Sequence, residues 1–126
     1  MSKNNLIKGK TISIILPTYN SINTIKRCLN SVLEQKSAYR TEIIIIDDHS
    51  HDGTKNFIRN IKSDHPDKIK IIENKKNMGV GYCRQKGIEQ SSGDYVAFID
   101  SDDYWLKNKL SKQIYFMEKN NIQFSY

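Results

Sequence analysis

Apolar residues fall along this chain in short dense runs that alternate with longer stretches of helical spacing. Thr11–Leu16 (TISIIL) is almost unbroken apolar surface and predicts a strand, stopped by Pro17. Ile25, Cys28, Leu29, Val32 and Leu33 then recur at intervals of three and four, which predicts an amphipathic helix from about Ile22 to Glu34 behind a Ser21 or Asn23 cap. Glu42–Ile46 is a second strand, with four consecutive isoleucines running into Asp47-Asp48. Asp52-Gly53-Thr54 turns the chain into a helix whose inner face is Phe57, Ile58 and Ile61. Ile69–Ile72 is a third strand. A helix from about Val80 to Gln90 follows, with Cys83 and Ile88 inward, and Ser91-Ser92-Gly93 ends it. Tyr95–Ile99 is apolar throughout and reads as a strand buried on both faces. Leu106, Leu110, Ile114 and Met117 mark a last helix, and Gln123–Tyr126 opens a fifth strand.

Strict alternation of strand and helix predicts a Rossmann-like α/β fold: a mostly parallel sheet, right-handed crossovers and helices on both faces. No repeat or linker interrupts it, so residues 1–126 read as a single domain with about residues 1–10 as a lead-in. Three of the first four strands end in unusual polar groups. These are Pro17-Thr18-Tyr19-Asn20, Asp47-Asp48 and Asp100-Ser101-Asp102. Parallel strands place all three at one sheet edge, where open α/β sheets bind their ligands.

Composition narrows the classes. Hydrophobic content of 37% and charged content of 27% suit a globular chain. No apolar run approaches a membrane span and the first residues lack a signal-peptide core, so the expected compartment is the cytoplasm. The net charge of +6 suits an anionic substrate or the inner face of the cell membrane, with peripheral association. Nucleic acid is not an expected partner, because no basic stretch is interleaved with aromatics. Cys28 and Cys83 fit no metal or redox spacing and read as free thiols.

Candidate chemistry concentrates in the acids. Asp100 and Asp102 point the same way if the chain stays extended past Ile99. Two converging carboxylates need a proton or cation between them, and hard oxygen donors suit Mg²⁺ or Mn²⁺. The competing reading of an Asp-x-Asp loop is a polar turn that caps the next helix, a role also open to Asp103. Gly79-Val80-Gly81 followed by Arg84 is not a dinucleotide fingerprint, and no P-loop occurs. Gly81 would let a helix start near the site, with Arg84 facing phosphate. His49 and His51 read as loop residues, because a metal site would need a third placed ligand. Trp105 is expected to pack the last helix against the sheet edge.

Four segments together carry a resemblance: Ile14–Asn20 (IILPTYN), Ile46–Thr54 (IDDHSHDGT), Asn77-Met78-Gly79 and Asp100–Trp105 (DSDDYW). In order and spacing they resemble family 2 glycosyltransferases of the GT-A fold, here the nucleotide-sugar-binding part of the domain. The resemblance implies transfer, with inversion, from a nucleotide-sugar donor, usually a UDP-sugar. The acceptor would be a saccharide or lipid-linked hydroxyl, as in building surface polysaccharide. It also implies a divalent metal, Mn²⁺ or Mg²⁺. Pro17 and Tyr19 would line the nucleotide pocket, and Asp48 would hold the uracil imide with Asp47 beside it. Asp100 would sit at the ribose, with Asp102 as the direct metal ligand. The family's general base lies beyond the fifth strand, hence beyond Tyr126. The fold is therefore expected to be truncated after the Asp-x-Asp strand and its following helix. A strand edge and an apolar flank near Phe116, Phe124 and Tyr126 would then be left open to self-association. A non-catalytic nucleotide-binding fragment and a Mg²⁺-dependent nucleotidyltransferase are the alternatives.

Overall fold

The computed structural model describes residues 10–120. The expected lead-in before Lys10 and the expected strand at Gln123–Tyr126 lie outside the described residues. Four strands, β1 (Thr11–Thr18), β2 (Arg40–Asp47), β3 (Ile69–Glu73) and β4 (Tyr95–Phe98), alternate with four helices. The helices are α1 (Ile25–Leu33), α2 (Thr54–Asp64), α3 (Val80–Gln90) and α4 (Lys109–Lys119). All strand pairs are parallel and the sheet order is β3-β2-β1-β4.

This order follows from the handedness of the crossovers. The chain steps from β1 to β2 to β3 in one direction, so right-handed connections put α1 and α2 on one face. It then returns past β1 to β4, which puts α3 on the other. The buried side chains obey that division. Ile12, Ile14, Leu16, Ile43 and Ile45 meet Ile25, Leu29, Ile58, Leu110 and Ile114 in the larger core. Ile15, Ile44 and Ile46 meet Cys83 of α3 on the opposite face. Four isoleucines in succession make sense here because the centre of the sheet is covered on both sides.

Several local expectations change. β1 does not stop at Pro17 but runs to Thr18. Ile15 C=O accepts from Ile99 N–H on the β4 side, whereas Thr18 C=O accepts from Asp48 N–H on the β2 side. Alternate residues address alternate neighbours, so the missing N–H of Pro17 faces a ladder that has already ended at Phe98. β4 is an edge strand among the described residues and is half-buried rather than buried on both faces, with Val96 and Phe98 exposed. The reason is that α3 lies over β1 and β2 and leaves β4 uncovered on that face.

The helices also move slightly. α1 begins at Ile25, and neither Ser21 nor Asn23 caps it through a side chain; Ser21 C=O accepts from Thr24 and Ile25 N–H instead. In α3, Ile88 points outward and Gly87 takes the inner position. A Cβ at Gly87 would collide with Ile15 and lie 3.0 Å from Ile46, so the glycine sets how closely α3 approaches the sheet. Leu106 is outside α4, whose N-cap is Asn108 rather than Asp103. Trp105 packs against the larger core as expected, with Lys109 over its ring.

Candidate functional site

The strand order reverses between β1 and β4, which opens a crevice at their carboxyl ends. A cleft of about 650 Å³ occupies that place. Its walls come from the turn after β1, the end of β2, the first turns of α3 and the turn after β4.

The β1 turn is held by the loop that follows β2. Asn20, at φ 46°, donates its N–H to Ser50 Oγ, and its Oδ1 accepts from His51 N–H. Ser21 N–H donates to Thr54 Oγ1, and Ile22 N–H donates to Asp52 Oδ2. Asp52 also accepts from Thr54 N–H at the entrance to α2. Much of the polar sequence in these two segments is therefore spent on fastening one loop to the other. His49, at φ 71°, turns this loop, and its ring meets His51 edge-on at 4.5 Å. Tyr19 stands half-exposed on the rim, and Thr18 also lines the cleft, although its hydroxyl is buried and has no hydrogen-bond partner among the described residues.

The two acids at the end of β2 separate in role. Asp47 is fully buried and does not line the cleft; it accepts from Ser50 N–H at 2.9 Å and Ser50 Oγ–H at 2.7 Å. Asp48 lines the cleft. Its Oδ1 accepts from Asn74 Nδ2 at 2.9 Å and Met78 N–H at 2.7 Å, and its Oδ2 accepts from Gly79 N–H at 2.9 Å. A carboxylate has about four acceptor positions, so about one, on Oδ2, stays open. Burial alone would raise the Asp48 pKa, but the Met78, Asn74 and Gly79 donors outweigh it and hold the group below its ordinary value. Those bonds also position Gly79, at φ 94°, as the N-cap of α3, so the helix begins at the cleft.

The turn after β4 is built differently. Asp103 N–H donates to Asp100 C=O, so the chain turns at Asp100 and does not stay extended. Alternation along a strand therefore no longer aligns Asp100 with Asp102; the turn itself brings both to the cleft. Asp100 is exposed and paired with Arg84 of α3 at 3.1 Å. Asp102 is exposed and has no hydrogen bond or ion pair among the described residues. Ser101 Oγ meets Ser21 Oγ at 2.6 Å and ties this turn to the β1 turn.

Of the residues singled out in the sequence, Pro17, Tyr19, Asp48, Arg84, Asp100 and Asp102 share the cleft, whereas Asp47 stands behind it. Sequence reasoning missed Thr18, Ser21, Ser101 and Cys83, which also line it. Thr18 and Ser101 sat inside the quoted motifs and Ser21 directly after one, but no pattern distinguishes a hydroxyl that faces a cleft from one that fastens a loop. Burial pushes the Cys83 thiol up to about 11, with the Asp48 carboxylate adding to it, so it is a neutral wall at pH 7.

The donor set suits a hard divalent cation. Two exposed carboxylates reach one cleft, and no group of three or more His, Cys, Asp or Glu among the described residues forms a complete cage. Mg²⁺ and similar ions are commonly held in this way, by one or two carboxylates with substrate phosphates completing the shell.

A parallel sheet with helices on both faces and a cleft with exposed carboxylates at its switch point defines an open α/β domain with a ligand-sized crevice. The profile described as "Glycosyl transferase family 2" matches residues 13–126, and the chain belongs to that family. It is 39% identical over 115 residues to the UDP-Glc:alpha-D-GlcNAc-diphosphoundecaprenol beta-1,3-glucosyltransferase WfgD of Escherichia coli. That alignment covers 91% of this chain and 44% of WfgD. The chain thus spans less than half the length of the curated relatives it matches. Among solved structures, S. aureus TarS 1-349 in complex with UDP superposes with a TM-score of 0.78 at 32% identity, covering 88% of this chain and 33% of that one. The mannosyltransferase PcManGT from Pyrobaculum calidifontis, in complex with GDP-Man and Mn²⁺, gives 0.77 at 25% identity, covering 84% and 32%. These neighbours establish the GT-A fold.

Proposed function

We propose that this chain carries the donor site of a glycosyltransferase that takes a UDP-sugar and delivers the sugar, with inversion, to a saccharide or lipid-linked hydroxyl in glycan synthesis. The observation that carries the reading is the convergence of Tyr19, Asp48, Asp100 and Asp102 on one cleft at the β1/β4 switch point. A uracil has an N3–H donor, and the open Oδ2 position of Asp48 offers it a charge-assisted acceptor. The exposed Tyr19 ring gives the base a stacking surface.

At the other end Asp102, with Asp100 beside it, would hold the divalent cation, Mn²⁺ or Mg²⁺. When bound, such a cation neutralises the charge that develops on a departing diphosphate. Arg84, half-buried and paired with Asp100, sets a guanidinium at the same end of the cleft, suited to phosphate oxygens. The relatives support both halves of the reading, since TarS is solved with UDP and PcManGT with Mn²⁺.

Calorimetry with UDP, GDP and ADP in the presence of MnCl₂ tests the assignment. UDP is expected to bind at least about tenfold more tightly, the worth of one hydrogen bond to a charged acceptor. Equal affinities for the three nucleotides would remove the uracil role from Asp48.

A further inference from the structure

We propose that the face formed by the Tyr104–Lys107 strap and the adjoining surfaces of α1 and α4 docks on an anionic lipid surface. The strap leaves the site turn at Asp103 and runs to the start of α4. At its crest Leu106 is 76% exposed, more than any other large hydrophobic residue among those described. Tyr104 and Phe116 stand half-exposed beside it. Two grooves of about 620 and 750 Å³ flank the strap and share Tyr104–Lys107 as a common wall.

Charge follows the same surface. Lys26 and Arg27 of α1 line the first groove, Lys112 of α4 lines the second, and Lys107 lines both. The only acid lining either groove among the described residues is Glu34. Four cations away from the strap are paired, Lys10 with Glu118, Arg59 with Glu73, Lys70 with Glu42 and Arg84 with Asp100, whereas others such as Lys75 and Lys76 have no salt bridge among the described residues. The four strap-side cations are exposed and have no salt bridge among the described residues. Arg27 instead lies 4.6 Å over the Tyr104 ring, which keeps an aromatic and a cation together at the rim.

A protruding aliphatic side chain ringed by long basic ones matches a leaflet: the apolar tip enters the headgroup boundary and the cations remain with lipid phosphate. A free polyanion would use the lysines but gain nothing from Leu106. Asn23 lines both the acidic cleft and the first groove, so a chain docked this way holds the cleft at headgroup level. The proposal is independent of which nucleotide the cleft takes.

Sedimentation with vesicles of phosphatidylcholine, alone or mixed with phosphatidylglycerol, tests it. The chain should pellet with the mixed vesicles only and be released by high salt. Each cation near such a surface is worth about a factor of five, so Lys107→Ala with Lys112→Ala should weaken binding about thirtyfold. Leu106→Ser should weaken it severalfold further. Lys75→Ala with Lys76→Ala, in the loop before α3, should leave it within about twofold. All five positions are exposed, and circular dichroism would verify the fold. Failure to pellet, equal pelleting with phosphatidylcholine alone, or equal loss in the Lys75/Lys76 variant would each overturn the proposal. So would light scattering that shows a dimer which Leu106→Ser dissolves, since the face would then belong to a second copy of the chain.

Discussion

Asp48 and Asp102 both stand at the carboxyl end of a strand and both line the same cleft, yet they are held in opposite ways. Asp48 is 4% exposed and receives three hydrogen bonds, two of them from backbone N–H groups of the loop that starts α3. Asp102 is exposed, on a turn held by a backbone bond from Asp103, the Ser101–Ser21 hydroxyl contact, the Cys28 thiol on Asp100 C=O and the Arg84–Asp100 pair, none of which involves Asp102 itself. The first acid shapes the protein and has about one acceptor position left over. The second is left almost wholly to whatever enters the cleft. A buried charge must be satisfied within the fold, so its ligand role is limited to what remains. An exposed one keeps its full capacity and contributes little to stability.

The sharpest way to break that contrast is Asp102→Ala. It should lower Mn²⁺-dependent UDP affinity about a hundredfold or more, because several kcal/mol of cation-mediated attraction are lost. The urea midpoint should remain at its wild-type value. Calorimetry and denaturation measured on the same preparation check both halves, and a large loss of stability would mean that the turn is structural after all.

Asp48→Ala should show the reverse emphasis. Met78 and Gly79 N–H lose their acceptor, and bonds to a charged group are individually worth about 1.5–3 kcal/mol, less when removed together. A destabilisation of about 3 kcal/mol is expected. Amide exchange should also accelerate selectively across residues 74–79. If exchange rises evenly throughout the domain, the loop does not depend on Asp48.

A smaller effect lies in acid. The folded pKa of Asp48 is held below its ordinary value of 3.8, so its contribution is complete above 3.8 and is lost as pH falls through the folded value. Glu42 and Asp52 titrate in the same direction. Glu42 is brought to about 2 from 4.5: burial opposes the change, and bonds from Ser13, Ser92 and Lys70 outweigh it. Asp48→Asn should therefore make the loss of stability below about pH 4 shallower without abolishing it. An unchanged acid limb would show that the three donors do not favour the charged form.

The order of strands and helices was readable along the chain, because covering a parallel sheet on both faces demands runs such as Ile43–Ile46 and helices with one apolar stripe. Family membership was readable too, from four polar segments at fixed places in that order, and the profile over residues 13–126 bears it out. Less legible was the division of labour within each segment. Asp47 and Asp48 are neighbours of the same type, and successive residues of a strand face opposite ways, so one is enclosed and the other reaches the cleft. Ile88 looked inward by spacing, yet Gly87 occupies that position because α3 approaches Ile15 too closely for a side chain.

By itself, then, the sequence determined which segments are strands and helices, that the sheet is parallel, and that polar strand ends gather at one edge, since periodicity and chirality are local properties of the chain. Only the tertiary structure decided that β4 is a half-covered edge strand and that β1 continues past Pro17. It alone set the 4% exposure of Asp48 against an exposed Asp102. Those outcomes depend on which element lies over which, and on donors such as Asn74 and Gly79 that are 26 and 31 residues away from Asp48 along the chain. Burial and hydrogen bonding are settled between segments, and no single segment carries that information.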